Sequence, residues 1–129
     1  MTRRAVSTGG APSAAGPYSQ AIQTDDLVFC AGQIGLDPVT GDMVEGGIEA
    51  QAERVLRNLE AVLDAAGCTF ADVVKTTCFL ADIDDFAAFN AVYARFMTDP
   101  PPTRSTFAVA ALPKAARIEI EAIAVRSRA

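Results

Sequence analysis

The sequence predicts an α+β fold in two layers, a mixed six-stranded sheet with two helices on one of its faces. Three observations predict it. Strand and helix patterns follow one another in the order β-β-β-α-β-α-β-β. Each helical stretch has a single apolar face, so each must lie on something flat and apolar. The last strand pattern, residues 116–125, places Ile118, Ile120, Ala122 and Ala124 on one side and Glu119, Glu121, Ile123 and Val125 on the other. The first side suits packing beneath helices. The second mixes carboxylates with β-branched residues, which suggests an interface or a site. The 129 residues suit one domain, 1–129.

The elements follow in chain order. "RRAVS" forms a short edge strand ahead of the Gly/Pro/Ser-rich loop 7–18. "SQAI" and "LVFCAGQI" (27–34) are strands, and Pro38 and Gly41 mark a turn after them. Residues 47–66 carry apolar side chains at a three/four spacing, from Ile48 through Val55, Leu59 and Leu63 to Ala66, which predicts a helix. Gly67 stops it, because glycine adopts the left-handed conformation cheaply. "VVKTTCFLAD" (73–82) is a β-branched and aromatic strand. Residues 82–97 predict a second helix, capped by Asp82 or Asp84, with Phe86, Phe89, Tyr93 and Phe96 as a core stripe. "DPPP" ends it. Residues 104–112 and 116–125 are the last two strands, joined by a turn at Pro113-Lys114.

Composition narrows the function. The net charge is −5 and no basic stripe is visible, so a nucleic-acid partner is not expected. No apolar run approaches membrane-spanning length, and the N-terminus has no apolar signal region. Cys30, Cys68 and Cys78 match no metal or redox spacing, as expected of reduced thiols in a cytoplasmic protein. The chain has no histidine, which removes histidine acid–base chemistry and Ser-His-Asp or Cys-His nucleophilic systems. Arg104 stands out within "PPPTRSTF", a permanent cation at the mouth of a strand. Such a residue is either solvated or held there to grip an anion.

Five segments, "APSAAGPYSQAI" (11–22), "GQIGLDPVTGD" (32–42), "DVVKTTCFLADIDDFAAFNAVYARF" (72–96), "TRST" (103–106) and "ALPKAARIEIEAIAV" (111–125), together resemble the RidA family, also called YjgF-type or reactive intermediate deaminases. The resemblance spans roughly residues 10–126. It implies a chorismate-mutase-like fold assembled as a homotrimer, with sites in the clefts between subunits. It implies hydrolysis of enamines and imines such as 2-iminobutanoate and 2-iminopropanoate to 2-oxo acids and ammonia, with no metal or organic cofactor. By position, Arg104 matches the family's carboxylate-binding arginine and Glu119 the glutamate that orients or activates water. Tyr18, Gly32, Asn90 and Thr106 match further residues of the pocket, Gly32 and Thr106 through their backbones. The chain departs from many members at Ala31, where they carry serine, and at Thr106, where they carry cysteine.

The implied chemistry suits a chain without histidine. A 2-imino acid needs its carboxylate fixed, a water over the imine carbon and a proton carrier. Arginine offers a planar fork of donors matched to a carboxylate. A glutamate on a partly apolar strand face has a raised pKa suited to acid–base work. Other readings stand beside this one. Glu119 alone reads as a structural partner of an arginine or lysine, Arg104 included. Two further functions fit the same trimer, a non-catalytic carboxylate-binding or chaperone-like module and, against the acidic balance, a ribonuclease.

Overall fold

A computed structural model describes residues 2–126. Three strands come first, β1 (Arg4–Val6), β2 (Ala21–Gln23) and β3 (Leu27–Gln33). Helix α1 (Gly47–Ala65), β4 (Val73–Leu80), α2 (Phe86–Phe96), β5 (Thr103–Ala108) and β6 (Ile118–Val125) follow. The strands form one sheet in the order β1-β2-β3-β6-β4-β5. All pairings are antiparallel except β4 with β5, which lie parallel because α2 crosses between them. The sheet is therefore mixed, as expected, and β5 is an edge strand.

Helix α1 buries Ile48, Ala52, Val55, Leu56, Leu59, Val62 and Leu63. Opposite them lie Val28 and Cys30 of β3, Cys78 and Leu80 of β4, and Ile118, Ile120, Ala122 and Ala124 of β6. The alternation read in β6 is thus observed, with the aliphatic set inside and Glu119, Glu121, Ile123 and Val125 on the other face. Gly67, at φ 79°, ends α1. Its N–H donates to Asp64 O (2.9 Å) while Cys68 N donates to Leu63 O (2.8 Å), the paired bonds of a Schellman cap.

Three expectations need correction. The second helix is shorter than 82–97, because Ile83–Asp85 form a 3₁₀ turn that Asp82 caps by accepting from Asp84 N at 2.9 Å. The last two strands are shorter too, because both stop at Leu80, the end of β4, which pairs with Ala108 and Ile118; the expected turn between them is present at 113–115, where Lys114 and Ala115 adopt φ of 55° and 54°. The aromatic stripe is core only in its middle. Phe89 and Tyr93 are buried, Phe86 lies at the surface, and Phe96 packs edge-on against Phe70. The reason is that α2 lies over the sheet edge, where Arg104 occupies the position of a core residue.

Two buried amides that sequence patterning missed tie the loops to this frame. Asn58 on α1 donates to Ile34 O (3.2 Å) and Leu36 O (3.0 Å) and accepts from Arg54 Nε (3.1 Å). Gln20 accepts from Thr8 N (2.7 Å) and donates to Pro12 O (2.8 Å) and Thr8 O (3.1 Å), anchoring the 7–18 loop. Its backbone carbonyl accepts from Ala31 N (2.9 Å). Gln20→Ala strands these buried groups and is expected to cost about 2–3 kcal/mol. Urea unfolding should show a lower midpoint at an unchanged slope.

The face of the sheet away from the helices carries Phe29, Phe79, Phe107, Ile123 and Val125 around Glu119 and Glu121. Phe29 and Phe107 are 42% and 45% exposed. Among the described residues, no helix is long and apolar enough to cross a membrane.

Candidate active site

The residues singled out in the sequence fall into two groups. The first surrounds Arg104 on β5. Arg104 pairs with Thr76 of β4, so its side chain points to the helix side of the sheet. There Asn90 of α2 accepts from its Nη1 at 2.7 Å. The guanidinium carbon lies 4.8 Å from the Tyr93 ring centroid, 5.5 Å from that of Phe86 and 5.6 Å from that of Phe89. These distances are within cation–π range. Among the described residues no carboxylate pairs with Arg104. Among those residues Arg57 pairs with Glu60, Arg95 with Glu53 and Arg117 with Asp85. The side chain is thus held by one edge and one face, and its other side-chain donors bond to none of the described residues. A cavity of about 630 Å³ adjoins it, walled by Asn90, Tyr93, Met97, Pro101 and Pro102.

Thr106 lies two residues along the same face. Its hydroxyl is buried without a hydrogen-bond partner. Its backbone is better placed for a ligand. Val109 N donates to Leu80 O at 2.8 Å, so the odd-numbered residues of β5 turn their peptide groups toward β4. By alternation, the peptide groups of Arg104 and Thr106 face the open edge of the sheet.

The second group surrounds Glu119 on β6, on the opposite face. A β-bulge separates Cys30 from Gln33 in the pairing of β3 with β6 and contains Ala31 and Gly32. The Glu119 carboxylate fills the space where a side chain at residue 32 would begin. A Cβ built on Gly32 would lie 2.8 Å from Cδ of Glu119 and closer still to its Oε2. Burial raises the Glu119 pKa, and the neighbouring carboxylate of Glu121 raises it further. Tyr18 lies on the exposed loop just before Gln20, with its hydroxyl accepting from Ala15 N at 3.3 Å.

Glu119 and Arg104 therefore do not pair within the chain. They point to opposite faces, two strands apart, and their positions along the sheet differ by three residues. Each offset is roughly 10 Å. Of the three thiols, Cys68 lies outside both groups, Cys30 borders the bulge that holds Gly32, and Cys78 pairs across strands with Thr106, its Sγ 4.0 Å from Thr76 Oγ1. All are buried, and burial pushes Cys30 up to about 12 and Cys78 to about 11. Sequence patterning missed Thr76, Tyr93 and Phe86 as neighbours of Arg104. A threonine within a strand and an aromatic stripe on a helix are ordinary core signals; the parallel pairing of β4 with β5 sets Thr76 beside Arg104, and only the crossing of α2 over the sheet edge brings Tyr93 and Phe86 to the guanidinium.

The family model described as Endoribonuclease L-PSP matches residues 8–126. The chain belongs to this family. The resemblance to RidA proteins is borne out by its relatives. A human protein named 2-iminobutanoate/2-iminopropanoate deaminase is 48% identical over 126 residues, covering 98% of this chain and 92% of its own. The crystal structure of RidA from an Antarctic Psychrobacter species superposes with a TM-score of 0.91 at 43% identity, covering 95% of this chain and 98% of its own. That of E. coli TdcF, solved with bound serine, superposes at 0.90, also at 43% identity, covering 96% and 99%. The predicted α+β architecture is thus the architecture of the family.

Proposed function

We propose that this protein is a cytoplasmic homotrimeric hydrolase of 2-imino acids, converting 2-iminobutanoate and 2-iminopropanoate to 2-oxo acids and ammonia. The observation that carries the reading is the state of Arg104, a braced guanidinium beside a cavity that pairs with no carboxylate among the described residues of its own chain. The likeness to deaminases over nearly the whole chain supports the reaction class.

In this reading the substrate carboxylate docks on the free donors of Arg104 and on Thr106 N–H at the strand edge. Glu119 takes a proton from water as the water oxygen bonds to the carbon of the protonated imine and the C=N electron pair moves to nitrogen. Glu119 then gives that proton to the nitrogen of the neutral carbinolamine. The C–N bond breaks as the hydroxyl becomes the keto oxygen and passes its own proton to Glu119, and ammonia leaves to take up that proton. Gly32 gives Glu119 its room, Tyr18 closes the loop side and Asn90 holds Arg104. Because Arg104 and Glu119 lie on opposite faces, one substrate reaches both only when a second copy brings its open sheet face to the β5 edge of the first. Each copy then gives Arg104, Asn90 and Thr106 to one cleft and Tyr18, Gly32 and Glu119 to the next. The apolar residues around Glu119 fit such contact.

Mixing subunits tests both the reaction and the shared cleft. Arg104→Ala and Glu119→Gln are each expected to be nearly inactive. Co-refolded in equal amounts, they should regain about a quarter of the wild-type rate, because one cleft in four draws both intact residues from different chains. Wild-type protein that binds 2-oxobutanoate but leaves the imine untouched would instead favour a carboxylate-binding module, a role that the missing hydroxyl at Ala31 also fits. The pH profile is a second check. Water activation needs ionised Glu119, so the rate should fall as pH drops through its raised pKa. Glu121→Gln removes a negative neighbour and should move that acid limb to lower pH.

A further inference from the structure

We propose that Tyr93 and Thr76 are positioning residues, a buried hydroxyl pair that holds the Arg104 guanidinium in its carboxylate-binding direction. The inference rests on the carboxylate-anchor reading of Arg104 and adds two residues that the family resemblance did not single out.

The argument is a closed triangle across three elements. Thr76 on β4 is the lateral partner of Arg104 on β5. Tyr93 on α2 lies with its ring against the guanidinium, the nearest of the three rings at 4.8 Å. Its hydroxyl then reaches down to Thr76 Oγ1 at 2.7 Å, where either oxygen can donate. Thr76 is 1% exposed and Tyr93 6%. The arginine, the strand residue beside it and the helix residue that stacks on it are thus fixed to one another.

Packing alone does not call for either hydroxyl. A phenylalanine at 93 would present the same ring face to Arg104. A valine at 76 would suit a strand whose next inward residues are Cys78 and Leu80. Buried hydroxyls are tolerated when bonded, and each of these has the other as its close partner. Their bond sets the tilt of the Tyr93 ring, which stands at 58° to that of Phe89. Asn90, one helical turn before Tyr93 on α2, holds one edge of the guanidinium through Nη1. The Tyr93 ring limits rotation of the plane about that hydrogen bond. Together they aim the remaining donors. A flexible arginine would bind a carboxylate with a larger loss of side-chain freedom, so pre-ordering favours affinity.

The test compares Tyr93→Phe, Thr76→Val and the double variant with wild type. Each single variant leaves one buried hydroxyl without its partner and should lower the melting temperature. The double variant removes both and should recover much of that loss. Positioning predicts that the function does not recover with it. The ¹⁵N order parameter of Arg104 Nε, measured without ligand and assigned through Arg104→Lys, should fall in all three variants. KM for the 2-imino acid should rise about tenfold, with kcat changed less. The proposal is overturned if the double variant keeps wild-type order at Arg104 Nε, or if it loses order but keeps wild-type KM. Should Thr76→Val fail to fold, Tyr93→Phe, which adds no bulk, supports the same comparison. If the wild-type protein hydrolyses no imine, the proposed function fails. The ligand-free order parameter and the dissociation constant of 2-oxobutanoate in wild type and Tyr93→Phe then decide the positioning role.

Discussion

Arg104→Ala is expected to lower kcat/KM for 2-imino acids by at least about 100-fold, equivalent to about 2.7 kcal/mol of transition-state stabilisation. A charge-assisted bond to a carboxylate contributes about 1.5–3 kcal/mol, and fixing the orientation of a small substrate adds to this. The loss should not come from unfolding. Arg104 lies on an edge strand, and its hydrogen bond and ring contacts come from a single helix. Arg104→Lys should rescue little. An ammonium keeps the charge, but it cannot bond Asn90, stack on Tyr93 and offer two parallel donors to a carboxylate at once. Steady-state kinetics with imine generated in situ, alongside thermal melts, would separate the outcomes. A lysine variant with wild-type KM would reduce Arg104 to a general positive charge.

The second large effect is expected from the smallest substitution. Gly32→Ala should lower kcat at least about 30-fold while leaving the fold intact and KM nearly unchanged. The new methyl group would overlap the Glu119 carboxylate. The obstructing atoms are the end of a flexible side chain, so Glu119 swings away and the backbone need not move. The catalytic group is lost at little cost in stability. Because both substitutions act on one carboxylate, Gly32→Ala combined with Glu119→Gln should be no worse than Glu119→Gln alone. Additive losses would mean that Gly32 contributes through its backbone instead. That was the role implied by the resemblance, whereas the structure points to the space the missing side chain leaves.

Element type and order were legible in the sequence because they follow from local periodicity. The three/four spacing of 47–66 and the alternation of 116–125 each report one buried face, and the apolar residues of both are buried there, joined on α1 by Gln51 and Asn58, which the spacing does not flag. Of the candidate site, the sequence pattern by itself singled out Arg104 and the carboxylate-bearing face of 116–125; Tyr18, Gly32, Asn90 and Thr106, and the choice of Glu119, were legible only through resemblance. Nothing local distinguishes Glu119 from Glu121, both on the same side of the same strand. Phe86 likewise reads like Phe89, although one is at the surface over Arg104 and the other is core.

By itself, the sequence determined the fold class, the absence of histidine chemistry and the presence of an unusual cation at a strand mouth. All of these are properties of residue type and short-range spacing. Only the tertiary structure decided that Arg104 is braced by Asn90 and Tyr93 and does not pair with the Glu119 of its own chain. Only there does a β-bulge lay Gly32 against the Glu119 carboxylate, and only there do the two halves of the site point to opposite faces. The physical reason is that side-chain direction in a sheet depends on strand order, register and bulges. Each is set by contacts between residues far apart in the chain, and a one-residue shift in any of them exchanges the two faces.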